Sequence, residues 1–186
     1  DYADQIVTAA LDGVALTGLT NGNVDFSTGT ASDASARKEF IKKGTAYMNT
    51  WMYTIREYED AIDDCTVGDL TANAGSSGPV HAWDEGIAFF VGSLLLPEDL
   101  TLNPSTLDTK GKGPYTLGNK RCKNFITCGP FGTDAYGEAK ANSDIITLAN
   151  QGQYKLLIGD CAAVVPIKNQ IVQKMTVPLV QGALRY

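Results

Sequence analysis

A single histidine and two nearby carboxylates form the group of side chains best suited to bind a metal ion. His81 is the only histidine of the chain, and Asp84 and Glu85 follow it by three and four residues. In an α-helix, side chains at these spacings project from one side. An imidazole with two carboxylates is a ligand set that suits iron, manganese or zinc. The sequence therefore predicts a metal site at His81, Asp84 and Glu85.

A preceding helical segment offers further ligands for the same ion. Glu57 and Asp60 are three residues apart, so on a helix they share a face, and helical bundles hold iron between carboxylates and histidines of facing helices. Arg56 either holds an anion beside the metal or pairs with a carboxylate of its own helix. The alternative for the histidine motif is structural, because carboxylates near the start of a helix are favoured by the helix dipole.

The elements that must position these side chains are predicted to be helices. No strand-like alternation of apolar and polar residues persists, and apolar residues recur at helical spacing over five segments. Pro79 suits the first position of the helix that carries His81, and Pro97 ends it. Residues 98–130 are predicted to form a long loop region tied by disulfides. We therefore expect an all-α fold, a bundle of four to five helices, with helices over residues 3–16, 34–64, 79–96, 134–158 and 162–184.

Composition and charge narrow the classes of function. Hydrophobic residues make up 44% of the 186 residues and charged residues 19%, as in an ordered globular protein, and the formal net charge is −6. This acidic balance argues against nucleic acid and anionic membranes as partners and is compatible with capture of cations. No apolar run is long enough to span a membrane. With one histidine, no nucleophile-and-base spacing and no nucleotide-binding motif, the sequence predicts no enzymatic activity.

The four cysteines predict two disulfides and an oxidising compartment. Cys65, Cys122, Cys128 and Cys161 contain no C-x-x-C pair, so disulfides fit better than a zinc or thioredoxin-like site. Three pairings are possible. The closeness of Cys122 and Cys128 in the sequence favours pairing these two with each other and Cys65 with Cys161. Four reduced cysteines in a cytosolic protein are the alternative.

Several stretches of the chain resemble one protein family. Residues 51–62 (WMYTIREYEDAI) and 80–94 (VHAWDEGIAFFVGSL) are similar to the low-iron-inducible periplasmic proteins, the iron-assimilating proteins of algae. Residues 177–186 (VPLVQGALRY), 119–122 (NKRC) and 137–140 (GEAK) fit further blocks of that family. The resemblance extends from about residue 34 to residue 186 and is most specific around His81.

This resemblance implies a function in iron capture outside the cytoplasm, in the periplasm or at the cell surface. The related phytotransferrins are thought to bind ferric iron together with carbonate, so the resemblance implies His81, Asp84 and Glu85 as motif positions, with Arg56, Glu57 and Asp60 as further candidates. Such domains often occur in tandem, so we expect a single domain over residues 1–186 that is one repeat or a trimmed segment of a longer protein, or that forms a homo-oligomer. Residues 1–33, an N-terminal helix and loop, match no part of the family.

A protein of another class is compatible with the same sequence. A structural or adhesive extracellular module, a subunit of an array or filament, would keep the helical fold without binding metal. In it, Asp84 and Glu85 would satisfy backbone donors and Arg56. The metal content of the native protein distinguishes the two.

Overall fold

The structure is a computed structural model that describes residues 2–19, 23–68, 77–92 and 113–185. The chain divides into two compact units, Asp1–Thr50 and Trp51–Tyr186. The single domain over residues 1–186 that the sequence predicts stays a prediction. The segment 93–112, which includes much of the predicted loop region, lies outside the described residues.

The first unit combines helices with a short hairpin. Its elements are the helix α1 (Tyr2–Asp12), the antiparallel strands β1 (Ala15–Leu16) and β2 (Val24–Asp25), a 3-10 turn (Gly29–Ser32), the helix α2 (Ala34–Lys43) and a π-helical segment (Gly44–Asn49). The helix α1 ends four residues before its predicted end because Gly13, with φ of +69°, turns the chain into the hairpin.

Two contacts hold this unit together. Phe26 is buried, and its ring meets the edge of Phe40 with 5.0 Å between centroids. The guanidinium of Arg37 donates hydrogen bonds to the carbonyls of Ala10 and Leu11, at 3.4 and 3.2 Å. These carbonyls lie in the last turn of α1 and have no partner within the helix, so Arg37 fixes α2 to the end of α1.

The second unit is all-α, as predicted. Its helices are α3 (Thr50–Val67), α4 (Pro79–Val91), α5 (Pro114–Phe125), α6 (Lys140–Leu157) and α7 (Cys161–Leu184). Among the described residues, none of these helices combines the length and the apolar character that a membrane crossing requires.

The core of the second unit is formed by helix faces that the periodicity of the sequence predicts. Ile145 and Leu156 of α6 and Ile171 of α7 are fully buried, together with the aromatic side chains of Tyr58 and Trp83. The indole Nε1 of Trp83 donates a hydrogen bond of 2.8 Å to the carbonyl of Ala149, which ties α4 to α6.

Both disulfides form, with the pairing that the sequence spacing favours. Cys65, in the last turn of α3, is bonded to Cys161 at the start of α7, with 5.7 Å between the Cα atoms. Cys122, in α5, is bonded to Cys128 just beyond the end of that helix. Disulfides of this kind are typical of proteins of oxidising compartments.

A further element differs from the prediction. Pro114–Phe125 was expected to be loop and is the helix α5. Its buried side is formed by small and polar side chains rather than a stripe of large apolar ones. Asn119 and Asn142 are fully buried, and Asn119 Oδ1 accepts hydrogen bonds from Ala139 N at 2.8 Å and from Asn142 Nδ2 at 2.9 Å. Hydrogen bonds rather than large apolar side chains thus hold this side of α5, so the helix lacks the apolar periodicity from which a helix is predicted.

Candidate metal site on α3 and α4

A glycine allows α4 to approach α3 closely. A Cβ atom at Gly86 would lie 2.7 Å from the ring of Tyr58 and 3.3 Å from the carbonyl oxygen of Thr54, so no larger residue fits there without displacing α3. On one side of this contact the rings of Tyr53 and Phe89 are 5.6 Å apart. The contacts occur in opposite order along the two helices, which are therefore antiparallel. Residues near position 57 then lie opposite residues near position 85.

The structure brings together two of the three side chains of the histidine motif. His81 Nε2 lies 3.3 Å from Glu85 Oε1, and the two side chains are 41% and 49% exposed. Asp84 is directed to α6 instead, where its Oδ1 accepts a hydrogen bond of 2.7 Å from Gln153 Nε2. Consecutive helix residues are about 100° apart around the axis. Viewed along α4, the side chains of Asp84 and Glu85 therefore project to either side of the side chain of His81.

Glu57 is the carboxylate of α3 that faces the His81–Glu85 pair. Partial burial raises the pKa of Glu57, and the negative charges of Glu85 and Asp60 raise it further, while Arg56 and His81 oppose the increase. Its charged form is thus destabilised first by burial and then by the neighbouring carboxylates. A cation close to Glu57 would favour the charged form.

Arg56 and Asp60 pair with each other rather than with α4. Arg56 Nη2 lies 2.8 Å from Asp60 Oδ1, one helical turn away on the same helix. Arg56 is 64% exposed, so the pair contributes little stability. This is the alternative that the sequence offered for Arg56, pairing along its own helix. It leaves Asp60 near Glu57 as a source of negative charge.

The arrangement is not a finished coordination site. In the described ranges 2–19, 23–68, 77–92 and 113–185, no three or more His, Cys, Asp and Glu side chains are placed so that together they could hold a metal ion. Binding by Glu57, His81 and Glu85 therefore requires a change of rotamer, which half-exposed side chains make readily.

A second group of charged side chains, on α6 and α7, was not identified from the sequence. Asp144 accepts hydrogen bonds from Lys140 and from Lys174 Nζ, the latter at 2.7 Å. Burial acts to raise the pKa of Asp144, but the hydrogen bonds and charges of the two lysines outweigh it, and the pKa is lowered. The spacing of Lys140 and Asp144 predicts an ion pair along the helix; the approach of Lys174 depends on the packing of α7.

Comparison with known proteins adds no relative. The chain matches no family model, no curated protein and no solved structure. The resemblance to the iron-assimilating proteins therefore remains a prediction from the sequence.

Proposed function

We propose that this chain is an extracytoplasmic, non-enzymatic domain that captures ferric iron between α3 and α4. Glu57, His81 and Glu85 would be the ligands. The observation that supports this most is the raised pKa of Glu57, which is caused first by partial burial and then by the negative charges of Glu85 and Asp60. Two carboxylates and an imidazole are ligands that iron accepts.

The remaining predicted residues would take different roles. Asp84, bonded to Gln153, would hold α4 against α6 rather than bind the metal. Arg56 is exposed and next to Glu57, so it would recruit carbonate by leaving Asp60 for a bidentate anion. Asp60 would then keep the site negative. An exposed ion pair is weak, so this exchange costs little.

Titration of the purified protein with ferric nitrilotriacetate, with and without bicarbonate, tests the proposal. We expect one bound iron, and an affinity lowered by about tenfold or more in His81→Ala and in Glu57→Gln, since removal of a ligand or its support typically costs 10- to 100-fold. Asp84→Asn is the matched control, because it removes a carboxylate of the same helix that faces α6. Equal iron uptake by the native protein and His81→Ala would exclude the histidine from the site.

The structural or adhesive module is the second candidate. One disulfide connects α3 to α7 and a second closes the turn after α5, and the described part of the chain contains no ready-made group of three metal-binding side chains. Its test is metal analysis of the native protein together with sedimentation velocity. Metal well below one equivalent, combined with self-association, would favour the scaffold over iron capture.

A further inference from the structure

A pocket lies on the second unit, away from α3 and α4. Its volume is about 270 Å³, enough for a ligand of roughly ten non-hydrogen atoms. Its walls are lined by residues of α5, of the turn after α5 and of α7, and the first turns of α6 line its floor. Among the lining residues are Phe131, Lys140, Asp144, Lys174, Val177 and Pro178.

The walls of the pocket are apolar and are held by rigid elements. Phe131 is 84% exposed, at the tip of a turn in which Gly132 N donates to Gly129 O at 3.1 Å. The Cys122–Cys128 disulfide and the bridge between Cys128 and Asp134 fix this turn. An aromatic side chain with so little burial contributes almost nothing to folding. Its ring and the side chains of α7 form a surface that is ready to receive hydrocarbon.

The floor of the pocket carries a net positive charge in an acidic protein. Lys140 and Lys174 both donate to Asp144, so two ammonium groups converge on one carboxylate and leave one positive charge in excess. Each ammonium carries three N–H donors and gives one of them to Asp144. The backbone of Gly132 packs on the stem of Lys140, because a Cβ there would lie 3.3 Å from Lys140 Cβ. This contact keeps the ammonium of Lys140 at the pocket.

The start of α6 adds to this charge. Its first residue is Lys140, and its N-cap residue, Ala139, has no side chain that could bind the terminal N–H groups. The first turn of a helix carries a partial positive charge, and Ala141, in that turn, lines the pocket. Two lysines and a helix start thus favour an anion at the same end of a cavity that Phe131, Val177 and Pro178 make largely apolar.

We propose that this pocket binds a small apolar molecule with one carboxylate, a medium-chain fatty acid or a compound of similar shape. The hydrocarbon would pack between Phe131 and the side chains of Val177 and Pro178. The carboxylate would accept hydrogen bonds from Lys140 and Lys174 beside Asp144. The two lysines already hold one carboxylate in this geometry, which shows that they reach a common acceptor.

NMR titration of the ¹⁵N-labelled protein with octanoate tests the inference, with octan-1-ol as the neutral probe of the same length. We expect octanoate to shift the amide signals of Ala141 and Val177 with saturation at millimolar concentration. Octan-1-ol should have an affinity at least about fivefold lower, because it lacks one charged interaction of about 1 kcal/mol. Equal binding of the two probes, or no saturable shift with octanoate, would refute a carboxylate site.

Two variants complete the test. Lys174→Gln is expected to weaken octanoate binding by about fivefold and to leave octan-1-ol unaffected. Lys155→Gln is the matched control, because Lys155 forms a similar ion pair with Asp160 at the other end of α6, at 2.8 Å. Phe131→Ser is expected to weaken both probes without unfolding the protein, since the ring is exposed. If Lys155→Gln has the same effect as Lys174→Gln, the response is a general charge effect and the proposal fails.

Discussion

Gly152 of α6 is a position in the core where a single added methyl group should be damaging. A Cβ atom there would overlap the indole of Trp83, with two further ring atoms at 2.7 Å. The ring has little room to move, because its Nε1 donates a hydrogen bond of 2.8 Å to Ala149 O and its centroid lies 4.3 Å from the centroid of the Tyr58 ring. Overpacking of a core costs about 1–3 kcal/mol, and loss of the indole hydrogen bond adds about 1 kcal/mol.

The helix propensity of alanine opposes this cost. Replacing glycine by alanine inside a helix gains up to about 1 kcal/mol, so Gly152→Ala is expected to lower the free energy of unfolding by about 2 kcal/mol. Gly182→Ala is the matched control: Gly182 is also helical, and a Cβ there would meet nothing within 4 Å. Because it lies near the end of α7, we expect it to gain about 0.5 kcal/mol.

Urea unfolding followed by circular dichroism measures both effects, and tryptophan fluorescence reports on Trp83 directly. The two substitutions are the same chemical change in two helices of one unit, so opposite signs would isolate the contact with the indole. A Gly152→Ala protein as stable as the native one would show that α4 and α6 are not packed as described. A loss of stability in Gly182→Ala would invalidate the control.

Three further predictions concern the disulfides and the charged groups. The loop closed by Cys65 and Cys161 spans 96 residues, and the loop closed by Cys122 and Cys128 spans 6. By the loop-entropy relation, replacing the first pair by serine should lower the free energy of unfolding by about 4–5 kcal/mol and replacing the second by about 2 kcal/mol. Urea unfolding measures both losses, and equal losses would contradict the relation. Because the pKa of Asp144 is lowered in the folded state, its contribution to the free energy of unfolding is present above the unfolded pKa of about 3.9 and is lost as pH falls through the folded pKa. Asp144→Asn should therefore destabilise the protein by about 1–2 kcal/mol at pH 7 and by much less at acid pH. A difference that does not change with pH would refute this. Because the pKa of Glu57 is raised, its ionisation disfavours the folded state. Glu57→Gln should therefore increase the melting temperature of the metal-free protein at pH 7 and leave it unchanged at acid pH. A decrease in the melting temperature at pH 7 would contradict this.

The sequence was sufficient for the helices that are packed by hydrophobic contacts. Ile145, Leu156 and Ile171 recur at helical spacing and are fully buried, and Pro79 begins α4 as expected. At the end of α7, Leu184 is 71% exposed, since that end passes beyond the core. The helix α5 was missed because its buried residues include Thr116 and Asn119, which are polar and do not appear as an apolar periodic pattern. The hydrogen bonds of Asn119 come from Ala139 and Asn142, at the start of α6.

The limits of prediction at the candidate site have a geometric origin. Spacing in the sequence places His81 near both Asp84 and Glu85, but it does not determine which side chain of another helix each carboxylate contacts. Packing decides this: α6 offers Gln153 to Asp84, while α3 presents Glu57 towards Glu85. The pocket beside Phe131 depends in the same way on elements far apart in the chain.

The electrostatics of Glu57 also separate the two proposed functions. A scaffold gains nothing from a carboxylate whose pKa is raised by burial and by two other carboxylates, because the folded state is less stable with that charge. A cation-binding domain tolerates this cost, since the bound ion stabilises the folded state by an amount that grows with its concentration. If Glu57→Gln stabilises the metal-free protein and abolishes stabilisation by ferric iron, the acidic cluster is explained by metal capture. If it stabilises the protein while iron has no effect on the native chain, the cluster is surface repulsion and the scaffold is the better account.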